Sequence, residues 1–177
     1  VVLISQKRLR PFLLNPGISD SLLIKRLSVL QDNYTINRDL LSQATWDEDD
    51  VSSYSCFYLA TNYQKFSFIC SQLPKHFFIH DKPYDLIDFG TGPGTYLLAY
   101  LDLFGLGYCD RVIGIDNDPL MLKQASKILG GLHPQVKKRL LLCNHFKQEL
   151  SKKPRILIFG NSMNELSVGD LKKIIKE

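Results

Sequence analysis

The chain has 177 residues, 45% of them hydrophobic and 23% charged, which makes one domain, or one with a small appendage, at about 100–200 residues each and excludes disorder as its overall description. Its 22 basic and 18 acidic residues leave a formal charge of +4, spread as 8 basic and 7 acidic groups over 1–80 and 14 and 11 over 81–177. So mild an excess permits contact with RNA without the basic stripe of a dedicated nucleic-acid module, and no apolar run approaches the roughly 18 residues that span a bilayer.

The N-terminus, Val1–Arg10, places its basic residues after a brief apolar run, which is the wrong order for a secretory signal, and it lacks an initiator Met. A trimmed chain or an excerpt of a longer one is expected. From Ser19 the pattern becomes helical, with Ser19 or Asp20 as N-cap and Leu22, Leu23, Leu27 and Leu30 at helical spacing. A second helix is predicted over Arg38–Ala44. The acidic run Asp47–Asp50 then reads as a solvated turn and as the first-turn signal of the next helix. Residues 51–73 are rich in aromatics, and Phe66, Ile69, Cys70 and Leu73 predict a helix from about Tyr63 to Leu73 whose aromatic stripe packs on the core.

Beyond residue 81 strand and helix signals alternate. Strands are predicted at Leu86–Phe89, Arg111–Asp116, Arg139–Cys143 and Ile156–Phe159, and helices at Gly94–Phe104, Pro119–Leu129 and Val168–Lys176. This order implies β-α-β crossovers and a parallel sheet. Cys56, Cys70, Cys109 and Cys143 form no C-x-x-C pair, so reduced thiols in a cytosolic compartment are expected and no metal is assigned.

The run Asp85–Thr95 carries an apolar strand into Gly90, Gly92 and Gly94 at alternate positions, with a helix directly behind. Glycine suits a turn where a side chain would block the backbone or the approach of a ligand, and the helix amides then face that ligand. The next strand ends in Asp116, 22 residues after Gly94, close to the ~20 expected of an acid that holds a ribose diol. A helix cap before Pro119 is the other reading of Asp116. The spacing is G-x-G-x-G, not the G-x-G-x-x-G of dinucleotide folds, so NAD-dependent oxidoreduction ranks third.

The segment Asp88-Phe-Gly-Thr-Gly-Pro-Gly94 resembles the first motif of the class I S-adenosylmethionine-dependent methyltransferases. The resemblance implies an α/β, Rossmann-like methyltransferase sheet over 81–177 behind a helical N-terminal extension over 1–80. It implies S-adenosylmethionine as cofactor, with Asp88 serving the amino-acid portion directly or through water, the glycines passing beneath, and Asp116 on the ribose hydroxyls. Thr91 and Asn117 are counted with them as cofactor contacts. Asn144, at the end of the third strand, is the candidate for the adenine edge, with a turn cap as the alternative. His145 is a weaker candidate base. Asn161, after the fourth strand, is the catalytic candidate. The Asn-Pro-Pro-aromatic element of many base N-methyltransferases is missing there.

Tyr58-Leu-Ala-Thr-Asn-Tyr63, the glycine turn and Asn161-Ser-Met-Asn-Glu-Leu166 together resemble the methyltransferase-like family associated with the mitochondrial small ribosomal subunit, which also has bacterial members. The resemblance implies rRNA or a ribosomal protein of the small subunit as partner, in the cytoplasm or the mitochondrial matrix. Tyr58 and Thr61 are then the candidates for pocket lining. A noncatalytic assembly factor that retains the cofactor pocket is the alternative function. Four strands are predicted where a class I sheet has seven, so an excerpt, or a second chain that supplies the remainder, is expected.

Overall fold

The computed structural model describes residues 4–36, 46–74, 82–145, 153–160, 162 and 168–176. Four parallel strands, β1 (Tyr84–Phe89), β2 (Cys109–Ile115), β3 (Leu140–Cys143) and β4 (Arg155–Phe159), form a sheet in the order β3-β2-β1-β4. The helices α5 (Thr95–Phe104) and α6 (Pro119–Leu132) make the crossovers from β1 to β2 and from β2 to β3. All six residues of β1 are buried, as befits a central parallel strand covered on both faces. Because β2 and β4 flank β1, the strand order reverses there, and the crevice of an open α/β sheet opens at the carboxyl ends of such strands. The predicted strands and the three later helices are all present, with ends moved by at most three residues.

One sheet face carries Leu86, Val112 and Ile158 into a cluster with Leu97, Leu98, Leu101, Ala125, Ile128 and Leu129. The N-terminal segment completes that same cluster with Ile4, Leu9, Leu59 and Tyr63. On the opposite face Ile87, Phe89, Ile113 and Ile115 pack with Leu157, Phe159 and Ile174 of α7 (Val168–Lys176).

The short α1 (Gln6–Leu9) is capped by the Ser5 hydroxyl, and α2 (Asp20–Thr35) by that of Ser19, as expected. The predicted helix over 38–44 lies outside the described residues. In α3 (Glu48–Tyr54), Asp47 and Asp50 form a capping box. The acidic run is more than a solvated turn, because Arg26 of α2 reaches Asp47 at 2.8 Å and Asp50 at 3.1 Å.

The helix expected from Tyr63 begins earlier, as α4 (Ala60–Gln72), and is joined to α3 by a π-helical turn over Ser55–Leu59. Hydroxyl bonds accompany the wider turn. Ser55 donates to the Val51 carbonyl at 2.7 Å and Thr61 to those of Phe57 and Tyr58 at 3.1 Å, competing with the regular ladder. The aromatic stripe is core only in part: Tyr63 is buried, whereas Phe57, Phe68 and Ile69 are exposed. The buried face runs through Tyr63, Ser67 and Cys70, and Ile69 lies about 100° around the helix from Cys70.

Candidate functional site

The turn after β1 places Gly90, Gly92 and Gly94 at φ of 69°, 52° and 84°, in the left-handed region that costs other residues about 1–2 kcal/mol each. Beyond this shared backbone need, each glycine meets a different neighbour. A Cβ on Gly90 would overlap Ser162. One on Gly94 would press on α6, 3.1 Å from a Leu129 methyl and 3.3 Å from that of Ala125. At Gly92 it would meet nothing within 4 Å among the described residues, so Gly92 is the bare backbone that faces the crevice. Gly94 then serves as N-cap of α5, whose first amides receive no side-chain cap, leaving donors aimed at the same opening.

Asp88 lies directly beneath this turn, fully buried. Its Oδ2 accepts a 2.8 Å bond from the Thr91 hydroxyl, while Oδ1 finds no hydrogen-bond partner among the described residues. Burial pushes its pKa up to about 8; the Thr91 bond opposes the shift and the nearby Asp116 adds to it. A buried polar atom without a partner costs about 1–3 kcal/mol, and such groups concentrate at functional sites.

Asp116 follows β2. Its Oδ2 accepts from the Gly92 amide at 2.8 Å and its Oδ1 from that of Asp118 at 3.0 Å. Burial raises its pKa, and the two amide bonds oppose that shift. The helix cap weighed for Asp116 belongs instead to Asp118, which accepts from the amides of Leu120 and Met121 ahead of Pro119. Each carboxylate oxygen retains a second lone pair, so Asp116 remains a double acceptor at the crevice rim. A ligand that bridges Gly92 and Asp116 would meet one continuous hydrogen-bonded surface.

The remaining sequence candidates are placed differently from one another. Asn117 is exposed between Asp116 and Asp118, and Asn144 and His145 are exposed at the end of β3, where the Asp116 amide bonds the Cys143 carbonyl at 3.2 Å. These stand at the same end of the sheet as the glycine turn. Thr91 is buried, with its hydroxyl on Asp88. The Thr61 hydroxyl is turned back onto its own helix. Tyr58 is half-buried, its ring 5.0 Å from that of Tyr54, and burial raises its phenol pKa. Tyr54 in turn packs against the cluster that includes Met121, in the first turn of α6, beside the loop that carries Asp116. Asn161 lies outside the described residues.

Three contributors escaped the sequence reading. Ser162 covers Gly90 and donates to the Phe89 carbonyl; nothing local signals it, because the contact exists only when the end of β4 meets that of β1. Tyr96 fills the space a Cβ on Gly160 would need. Gly114, in the middle of β2, sits under Thr91 and Leu142, 3.0 Å and 2.8 Å from where its Cβ would be. A glycine inside a strand marks a close approach, and that signal was there to be used.

No protein-family model matches the sequence, and neither does any curated protein. Among solved structures the chain is similar to the mitomycin 7-O-methyltransferase, at 14% identity over 96% of this chain and 42% of that one, with a TM-score of 0.47. It is similar to an O-methyltransferase family protein from Burkholderia thailandensis at 17% identity, over 80% and 42% of the two chains, with a TM-score of 0.47. YjhP from E. coli matches at 16% identity over 66% and 43%, with a TM-score of 0.42. The chain thus spans about two fifths of the length of these structures.

Proposed function

We propose that the chain is an S-adenosylmethionine-dependent methyltransferase domain that binds its cofactor in the crevice at the carboxyl ends of β1 and β2. The observation that carries this reading is the pairing of Gly92, where a side chain would meet nothing within 4 Å among the described residues, with a buried carboxyl beneath it, Asp88, whose Oδ1 has no hydrogen-bond partner among those residues. A carboxyl in that position suits the cofactor's amino group, and Asp116, braced by the Gly92 amide, suits two vicinal ribose hydroxyls because it accepts on both oxygens. Asn117 and Asn144 are assigned to the rim. S-adenosylmethionine supplies a methyl group on a sulfonium, already electrophilic. The chain's own task is then to hold the acceptor in line and keep water away, and a strong base is not obligatory.

For the acceptor we propose a component of the small ribosomal subunit, rRNA or ribosomal protein. Its support is the sequence resemblance over Tyr58–Tyr63 and residues 161–166, with Asn161, Tyr58 and Thr61 as the pocket residues to test. Calorimetric titration with S-adenosylmethionine, S-adenosylhomocysteine and NADH tests the reading at its base. Binding of the two sulfur compounds, abolished in Asp116→Ala, is the expected result. Binding of NADH alone would replace the methyltransferase with an oxidoreductase, and cofactor binding without turnover on small-subunit rRNA or protein would favour a noncatalytic assembly factor.

A further inference from the structure

We propose that Thr91 is a positioning residue of the crevice: seated in the notch that Gly114 leaves in β2, its hydroxyl holds Oδ2 of Asp88 and so reserves Oδ1 for the amino group of an amino-acid ligand. The proposal rests on the cofactor reading above for the identity of that ligand. Its geometric part rests on this chain alone.

Asp88 stands opposite Gly114 in the β1–β2 register and opposite Ile158 in the β1–β4 register, so neither strand neighbour brings a hydrogen-bonding side chain to it. Thr91, three residues on, supplies the one described bond to the carboxyl. The missing side chain of Gly114 makes room for it. A Cβ there would lie 3.1 Å from the Thr91 hydroxyl and 3.0 Å from its methyl, tighter than most packed contacts, so the threonine would have to shift. The turn backbone fixes Thr91 from the other side, its amide donating to the Ile115 carbonyl and its carbonyl accepting from the Gly94 amide, both at 2.9 Å. A hydroxyl has a single proton to donate, and here it is spent on Oδ2.

The consequence is electrostatic. Burial drives the Asp88 pKa up to about 8, and the Thr91 bond is the restraining influence, whereas Asp116 at the end of β2 pushes it further up. Tyr96, in the first turn of α5, is a further ionisable group beside it. Without the hydroxyl, ionising Asp88 becomes harder. A ligand ammonium that needs the carboxylate must then pay for more of that ionisation at neutral pH.

Carbon-detected NMR titration of the Asp88 carboxyl in the ligand-free protein, paired with calorimetry of S-adenosylhomocysteine at pH 7, tests both parts. In Thr91→Val, which keeps the shape and loses the hydroxyl, we expect the Asp88 midpoint to rise by about one pH unit and affinity to fall roughly tenfold. In Thr91→Ser, which keeps the hydroxyl, both should stay near wild type. Should Thr91→Val not fold, Thr91→Ala takes its place in the same comparison. An unchanged midpoint and affinity in the variant without the hydroxyl overturn the role of Thr91, as does a serine variant that behaves like the valine one. A wild-type protein that binds no S-adenosylhomocysteine overturns instead the cofactor reading and the ligand assigned to Oδ1.

Discussion

At the scale of single residues, the glycine turn shows how one motif serves three demands. Gly92→Ala is expected to lower stability by the backbone cost of about 1–2 kcal/mol and to place a methyl in the crevice, so that affinity for S-adenosylhomocysteine falls more than stability does. Gly90→Ala adds a collision with Ser162 and should reverse that order, with melting temperature falling most; calorimetry and thermal melting on the two variants separate the cases. Asp88 makes a second prediction. Its folded pKa of about 8 lies above the ordinary 3.8, so between those values the folded chain holds a proton that the unfolded chain releases. Its contribution to stability is therefore greatest below pH 3.8 and is lost as pH rises through about 8. Asp88→Asn should flatten that slope in urea unfolding measured from pH 5 to 9, and an unchanged slope would assign it to other groups. The glycines and the two acids were legible in the sequence because their spacing is local. Ser162 was not, because its place depends on β4 lying beside β1, and the inward turn of Thr91 depends on a glycine one strand away.

Among the elements, the helices show where local signals stop. Asp47 and Asp50 announced the start of α3, since a capping box spans only four residues, but nothing near them names Arg26 as their partner from α2. Asp47→Ala should therefore cost about 1 kcal/mol for the lost cap, and Arg26→Ala less, because pairs this exposed contribute about 0–1 kcal/mol. Denaturant titration of the two variants and the double variant checks the order, and strong coupling between them would mean that Arg26 works chiefly through Asp47. The aromatic stretch was read by periodicity alone. That reading placed Tyr63 in the core and erred on Ile69, because the buried face of α4 runs through Tyr63, Ser67 and Cys70 and leaves Ile69 about 100° around the helix from it. The π-helical turn over Ser55–Leu59 was not legible either, because hydroxyl bonds to backbone carbonyls leave no hydrophobic trace in the sequence.

For the whole molecule, the question is whether the N-terminal helices are an appendage or part of the same cooperative body. Asp102 of α5 decides much of it. Its carboxylate accepts two bonds from Arg8 of α1, at 2.8 and 2.9 Å, one from the Tyr63 hydroxyl of α4 at 2.8 Å, and pairs with His133 at the end of α6 at 2.9 Å. Gln124 of α6 adds bonds to the Leu14 amide and the Phe12 carbonyl, both at 2.8 Å, and Leu9 and Tyr63 share their hydrophobic cluster with Leu86 and Val112. His133, Arg8 and Tyr63 hold the Asp102 pKa well below the carboxylate range against the opposing effect of burial. A depressed carboxylate contributes stability that is present above the ordinary 3.8 and is lost as pH falls through its folded value, so this junction should weaken only under strongly acidic conditions. Removing the carboxylate at neutral pH is the sharper test, since it strands Arg8 and Tyr63 partly inside; Asp102→Ala is expected to cost about 3 kcal/mol. With one shared cluster and a four-element junction, thermal unfolding followed at once by tyrosine absorbance and far-ultraviolet circular dichroism should show a single transition, moved to lower temperature in Asp102→Ala. Two separated transitions, with only the first moved by the substitution, would make the N-terminal helices a unit that unfolds by itself.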